Sequence, residues 1–177
     1  GLTVDNTSAE NHCTIFAINS SPFDENLVFV GTDDGNLQVT RDGGKNWELI
    51  SKNIPNIPAG TWVSSLEPGH HDRNVLYATF DNHAYGDIKP YAAKTTDQGK
   101  TWKTFALEGV QGYAHVIRED LKNPNLLFLG TEFGLYVSNN GGDSWALFKS
   151  NLPEYIAVRD IVIQPRTNDL VLATHGR

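Results

Sequence analysis

The stretch TRDGGKNW at residues 40–47 recurs as TTDQGKTW at 95–102 and as SNNGGDSW at 138–145. All three copies fit one pattern: Ser or Thr, any residue, Asp or Asn, any residue, Gly, any two residues, and Trp. A spaced pattern that recurs in this way is typical of a chain built from successive copies of one structural unit. We call this pattern the box, and it predicts a repeat architecture before any local feature is considered.

The repeat extends well upstream of each box. A short apolar run that ends close to a Thr occurs in four places: 26–32, 74–79, 125–131 and 168–174. A second apolar segment precedes each run across a turn-rich stretch, at 14–18, 62–66, 114–117 and 159–163. One unit therefore consists of strand A, turn, strand B, loop, strand C, box and strand D. Because no segment shows a helical period, the sequence predicts an all-β repeat protein.

The residue types of the box are those of a tight turn between strands C and D. The Asp or Asn can accept hydrogen bonds from the backbone of the turn, and the Gly can adopt positive φ. The Trp then begins strand D, where we expect it to be buried between neighbouring sheets. This interpretation gives the box a structural role rather than a metal-binding or catalytic one. The box residues are Asp42, Gly44, Trp47, Asp97, Gly99, Trp102, Asn140, Gly142 and Trp145.

These boxes resemble those of Asp-box (BNR-repeat) β-propellers, which include sialidases, xyloglucanase-type glycosidases and sortilin-type receptors. Residues 60–177 look more specifically like the bacterial sortilin-like BNR-repeat proteins often labelled "glycosyl hydrolase". The resemblance rests on GTDDGNLQVTRDGGKNW (31–47), KPYAAKTTDQGKTW (89–102), VIREDLKNPNLLFLGTEFGLYVS (116–138) and LATHGR (172–177). It implies four-stranded antiparallel blades and a secreted or periplasmic location, but not one activity, because propellers host unrelated functions.

The number of strand sets predicts a single partial propeller domain over 1–177. Its units are blade 1 at about 12–51, blade 2 at about 61–107, blade 3 at about 113–149 and half of blade 4 at about 157–177. Closure of a propeller removes exposed sheet edges, so a partial one should leave apolar faces uncovered. We therefore expect association with the remaining blades of a parent chain, with a companion fragment or with copies of itself.

Composition excludes several other classes of protein. The net charge of −7 and the absence of a basic stripe disfavour a nucleic-acid partner. The sequence has no apolar run long enough to span a membrane, and no cofactor motif or metal-ligand spacing is present. His70, His71 and Asp72 are adjacent on an A–B turn and are expected to be solvated. The lone Cys13 is expected to be a buried thiol of strand A.

In a propeller of this strand order, the B–C and D–A loops share the face that usually carries the ligand site. The longest B–C loop is FDNHAYGDIKP at 80–90, and long loops on a rigid scaffold commonly bind ligands. Trp62 begins a strand, where it could stack on a sugar or peptide or lie in the core. The candidates on this ligand face are Asp33, Asp34, Trp62, Asp81, His83, Tyr85, Asp87, Glu132, His175 and Arg177.

Three functions fit these features. The first is a non-catalytic module that binds a protein, peptide or glycan on the ligand face. The second is a glycoside hydrolase, xyloglucanase-like in preference to a sialidase, which needs two facing carboxylates partly supplied from outside this chain. A sialidase would also need converging arginines, and no motif here specifies them. The third is a purely structural role, and we favour the binding module.

Overall fold

The computed structural model describes residues 13–175, which form four antiparallel sheets in succession along the chain. Each of the first three sheets is a meander of four strands that pair in chain order. Apart from strands and turns, the described residues form two short 3-10 helices, Ser51–Asn53 and His83–Tyr85. The predicted all-β, propeller-type fold with box turns is confirmed.

The strands are numbered along the chain. Sheet 1 contains β1 (Ile15–Ser21), β2 (Asp24–Thr32), β3 (Leu37–Thr40) and β4 (Glu48–Leu49). Sheet 2 contains β5 (Trp62–Pro68), β6 (Leu76–Asp81), β7 (Tyr91–Thr95) and β8 (Lys103–Thr104). Sheet 3 contains β9 (Ala114–Glu119), β10 (Leu127–Thr131), β11 (Gly134–Ser138) and β12 (Ala146–Leu147). Sheet 4, within the described residues, contains β13 (Ala157–Ile163) and β14 (Leu170–His175).

The box turns of successive sheets lie on the same side of the molecule. In the first box, Asp42 Oδ1 accepts hydrogen bonds from Thr40 Oγ1 at 2.8 Å and from the Asn46 amide at 2.9 Å. The amide of Gly44 donates to Thr40 Oγ1 at 2.9 Å, and the other two boxes repeat this pattern. The Asn46 side chain and amide lower the pKa of Asp42 to about 2, so the carboxylate is held as an acceptor within the turn.

The core consists of three interfaces between neighbouring sheets. Along β6, Leu76, Ala78 and Phe80 face sheet 1, whereas Tyr77 faces sheet 3. Alternation of side chains along a strand therefore buries both faces of the middle sheets. Small residues permit a close approach of the backbones: a Cβ on Gly31 would lie 2.4 Å from Val63 of the next sheet.

Each box also contacts the sheet that precedes it. Gly99 lies against Ile50, the residue that follows β4, and Gly142 lies against Phe105, the residue that follows β8. Both glycines have positive φ, 88° and 97°. Trp145 packs edge-to-face on the same Phe105, with ring centroids 5.7 Å apart. In both interfaces a box glycine therefore lies against the apolar side chain at the end of the preceding strand D, and in the third box the Trp packs on that side chain too.

Trp47 corrects the expectation that all three box indoles are buried between sheets. Trp102 and Trp145 pack into the interfaces with sheets 1 and 2, but Trp47 is 44% exposed. The reason is positional, because the described residues contain no sheet in front of sheet 1. The Trp47 indole instead donates to the Gly44 carbonyl of its own turn at 3.1 Å.

Two further expectations are wrong. Cys13 precedes β1 and is half-buried, with Sγ 3.2 Å from Asp34 Oδ2, rather than a buried thiol within the strand. Of the three turn residues expected to be solvated, His71 and Asp72 are exposed, but His70 is half-buried. Its Nε2 lies 3.0 Å from Glu67 Oε1, and its amide donates to Glu119 Oε2 at 2.5 Å.

The His70 contacts belong to a buried polar group between sheets 2 and 3. Glu67 and Glu119 are both buried, and Glu119 Oε1 accepts a hydrogen bond from the Tyr77 hydroxyl at 2.9 Å. Arg118 lies 3.6 Å from Glu67. The hydrogen bond to Glu67 raises the pKa of His70 above its usual value, although burial opposes the shift.

We predict that Gly142→Ala destabilises the protein by about 3 kcal/mol or more, because the new Cβ would lie 2.1 Å from the Phe105 ring. Gly109→Ala is the matched control, since Gly109 also has positive φ (84°) but a Cβ there would have no atom within 4 Å. Backbone strain alone should cost the control about 1 kcal/mol. Urea unfolding of both variants measures the difference, and equal losses would contradict the role of packing.

We also predict that the stabilisation by His70 depends on pH. Because the folded-state pKa of His70 is raised, the contribution is fully present below the ordinary value of 6.5 and is lost as the pH rises through the folded-state pKa. The free energy of unfolding of the wild type should exceed that of His70→Gln most at acidic pH. Denaturant titrations across this range measure it, and Glu67→Gln as a background should flatten the difference. A gap that widens with increasing pH would contradict the assignment.

Candidate functional site

One structurally equivalent position follows strand B in every sheet, and it carries a polar side chain each time. The register defines it: Val28 pairs with Thr40, Leu76 with Thr95 and Leu127 with Ser138, the last residues of strand C. The residues four positions further along strand B are Thr32, Phe80 and Thr131. Phe80, and not Thr79, is therefore the structural equivalent of the two threonines. The residues that follow are therefore equivalent: Asp33, Asp81, Glu132 and His175.

A β-bulge occurs near the start of strand A in every sheet. The pairing skips one residue between Ile15 and Ala17, and likewise in β5, β9 and β13. A bulge re-aims the side chain of the unpaired residue, and bulges are common beside functional sites. Here the bulge residues lie beside the equivalent polar position at the ends of strand B. They are Phe16, Ser64, His115 and Arg159.

Two of these bulge residues converge on Glu132. His115 Nε2 lies 2.8 Å from Glu132 Oε2, and an Arg159 guanidinium nitrogen lies 3.1 Å from the same oxygen. His115 belongs to β9 and Arg159 to β13, so the carboxylate joins sheets 3 and 4.

The aromatic rings extend this group to sheet 2. The His83 and Tyr113 rings stack with centroids 4.6 Å apart, and Tyr113 meets His115 edge-to-face at 4.9 Å. His83 Nδ1 lies 2.7 Å from Asp81 Oδ1, which orients the ring. We call this group the three-sheet cluster. Its members are Asp81, His83, Tyr113, His115, Glu132 and Arg159.

The protonation states follow from these contacts. Burial lowers the pKa of His115, although the hydrogen bond to Glu132 partly opposes the shift. Burial would raise the pKa of Glu132, but the hydrogen bond with His115 and the charge of Arg159 outweigh it and lower the value. Burial and Glu132 raise the pKa of Tyr113. At neutral pH the cluster therefore presents an ionised, ion-paired Glu132 beside a neutral His115 and a neutral phenol.

The structure brings together three of the predicted ligand-face residues, Asp81, His83 and Glu132, and gives local roles to two others. Asp33 Oδ1 accepts the amides of Cys13 and Thr14 at 2.8 and 2.9 Å. Asp34 accepts hydrogen bonds from Thr32 and, at 2.9 Å, from Asn36. Both carboxylates thus stabilise the loop that follows β2.

The remaining candidates lie apart from the cluster. Trp62 is half-buried and packs edge-to-face on Phe16, with centroids 4.5 Å apart, so its ring is already engaged in a contact between sheets. Asp87 accepts a hydrogen bond from the Tyr91 hydroxyl at 2.7 Å, which holds the 82–90 loop. Tyr85 is exposed in that loop, and His175 is exposed at the end of β14. Arg177 lies outside the described residues.

Sequence reasoning missed Tyr113 and His115 and did not show where Arg159 converges. Their position in the sequence could have identified them as candidates, because all three lie at or directly before the start of a strand A, next to a D–A loop on the predicted ligand face. Finding His115 required the bulge, because alternation along an ideal strand would place this residue elsewhere.

Metal-binding and membrane-spanning features bear on the class of site. In residues 13–175, no cluster of three or more His, Cys, Asp or Glu is placed to hold a metal ion. Over the same range, no helix has the length and apolar character needed to cross a membrane.

Comparison with known proteins gives one family match and distant curated relatives. Residues 38–49 match the BNR/Asp-box repeat family. The chain is 30% identical over 113 residues to Vacuolar protein sorting/targeting protein 10 of Neosartorya fischeri, a match that covers 60% of this chain and 7% of that protein. The chain therefore spans a small part of the curated relatives that it matches.

Solved structures share the fold. YCF48 bound to D1 peptide is 20% identical with a TM-score of 0.63, and the match covers 90% of this chain and 48% of that one. An ancestral GH74 enzyme is also 20% identical with a TM-score of 0.63, over 79% of this chain and 19% of the enzyme. At this identity the likeness establishes the fold alone.

We predict opposite shifts of the His115 pKa in two variants. Glu132→Gln should lower it further, because the hydrogen bond that favours the imidazolium is lost, and Arg159→Gln should raise it, because a repelling charge is removed. NMR titration of the imidazole signals, assigned with a His115→Asn variant, measures both. Arg73→Gln is the control, because Arg73 pairs with Asp24 on an A–B turn. Shifts of the same sign would contradict the described contacts.

Proposed function

We propose that this chain, whose residues 38–49 match the BNR/Asp-box repeat and whose sheets form propeller-type blades, is a non-catalytic binding module. Its ligand is a peptide or protein segment bound over the three-sheet cluster. The observation that carries this proposal is the convergence of six side chains from sheets 2, 3 and 4 at the loop ends of one face.

The donors of the cluster favour a ligand rich in hydrogen-bond acceptors. Arg159 is 47% exposed on its side chain and His83 is 43% exposed. A guanidinium carries five N–H groups, and the contact with Glu132 uses only part of them. Backbone carbonyl groups of an extended peptide provide such acceptors for the guanidinium. Because the Asp81 carboxylate accepts the Nδ1–H of His83, Nε2 of the neutral ring is an acceptor for a backbone N–H of the same peptide. The stacked His83 and Tyr113 rings provide a flat apolar surface.

The comparisons support a peptide over a glycan. YCF48, which shares this fold, has been solved with a D1 peptide, and the curated relatives are named as sorting proteins. GH74 enzymes have a similar fold, so the fold does not distinguish a binding module from a hydrolase. The argument against hydrolysis comes from the side chains. A general acid of a glycosidase needs a raised pKa, whereas the hydrogen bond with His115 and the charge of Arg159 lower the pKa of Glu132.

The proposal predicts that peptide affinity depends on the cluster and not on charge in general. Peptides selected from a random phage-displayed library against the full chain should bind Arg159→Gln and His83→Gln about tenfold or more weakly than wild type. Arg73→Gln is the matched control: Arg73 is also exposed and ion-paired, with Asp24 at 3.0 Å, but it lies on the A–B turn side. Isothermal titration calorimetry measures all four proteins.

Equal affinities for wild type and Arg159→Gln would contradict this location of the site. The hydrolase alternative is tested by incubating the chain with xyloglucan oligosaccharides and with a fluorogenic sialoside. Turnover that is abolished by Glu132→Gln or Asp81→Asn would replace the binding module with a glycosidase. Loss of turnover in only these two variants, with normal folding by circular dichroism, would identify the catalytic carboxylates.

A further inference from the structure

A groove lies at the end of sheet 2 that belongs to the predicted ligand face. One wall is the end of the 82–90 loop with the start of β7, and the other is the D–A loop that follows β8. The groove has a volume of about 400 Å³, and its apolar lining residues are Pro90, Tyr91, Phe105, Leu107 and Val110. Cavities that hold small ligands have roughly 300–1,000 Å³, so this one has room for an apolar side chain and its flanking backbone. We call it the loop groove.

One wall of the loop groove comes from a feature of sheet 2 alone. The connection between strands B and C is longest in this sheet: it spans 33–36 in sheet 1, 132–133 in sheet 3 and 82–90 in sheet 2. Asp87 holds the long connection against the strands, because its carboxylate accepts hydrogen bonds from the Tyr91 hydroxyl at 2.7 Å and from the Asn82 side chain at 3.2 Å. The wall is therefore formed by an ordered loop.

Both walls of the loop groove continue into the three-sheet cluster. The 82–90 loop carries His83 and the D–A loop leads to Tyr113, and these two rings stack with centroids 4.6 Å apart. Val110 of the groove precedes Tyr113 by three positions, so their Cα atoms are at most about 11 Å apart. Three or four residues of an extended peptide cover that distance. One peptide can therefore contact the stacked rings and enter the groove.

The two walls carry opposite charges. Lys89 on one wall and Glu108 on the other are both exposed and both line the groove. Among residues 13–175, neither side chain takes part in a salt bridge. Charges beside an apolar contact select partners with complementary charges. The groove therefore favours an apolar group with a carboxylate on the Lys89 side and a cation on the Glu108 side.

We propose that the loop groove is a second subsite for the peptide bound over the three-sheet cluster, an inference that rests on the proposed function. The groove takes one aliphatic or aromatic side chain of the peptide. An acidic neighbour of that residue faces Lys89, and a basic neighbour faces Glu108. The apolar residue lies about three to five positions from the segment that contacts the His83 and Tyr113 rings. The ligand is thus narrowed to an extended peptide with an apolar residue between charges of opposite sign.

The test uses the full 177-residue chain and the tightest peptide from the phage selection, with isothermal titration calorimetry as the measurement. Lys89→Glu should weaken binding about fivefold or more, because it reverses a charge at the groove. Replacing the acidic residue of the peptide by Lys should restore the affinity for this variant. Lys52→Glu is the matched control, since Lys52 is also exposed but lies on the D–A loop between sheets 1 and 2.

A double-mutant cycle tests the apolar contact. Replacing the apolar peptide residue by Asn should weaken binding to wild type about tenfold, but binding to Leu107→Asn about twofold or less, because that wall is already polar.

Three results would each overturn the loop groove as a subsite: no coupling with Leu107, equal effects of Lys89→Glu and Lys52→Glu, or a selected peptide without an apolar residue between opposite charges. If Arg159→Gln still weakens binding in such a case, the binding module stands and only the groove is lost. If Arg159→Gln binds as tightly as wild type, the proposed function itself fails.

Discussion

The close approach between consecutive sheets is the constraint on which the rest of this molecule depends. Each interior sheet is apolar on both faces, so neither face is stable unless another sheet lies against it. The approach is close because glycines stand where a Cβ would collide, as Gly31 would with Val63 and Gly142 with Phe105. Gly142, which belongs to a box, also adopts the positive φ that the box turn requires. One residue therefore fixes both the turn within a sheet and the packing between two sheets.

The ligand face inherits its geometry from this packing. The strand-A bulges direct His115 and Arg159 to one carboxylate from two different sheets. Tyr113 and His83 are held by stacking rather than by loop contacts alone. Side chains that are fixed by a rigid scaffold lose little conformational entropy on binding, which favours recognition. The cluster is therefore preorganised because the sheets are stacked, not because its loops are rigid.

The sequence predicted the fold well, because the box and strand alternation are local patterns with a direct physical meaning. It predicted the members of the three-sheet cluster less completely. Asp81, His83 and Glu132 were candidates because of their place after strand B, but His115 was not, because a bulge is invisible to a period of two. Trp47 was misjudged for a related reason: burial between sheets depends on which neighbours exist, and that information is not contained in the motif itself.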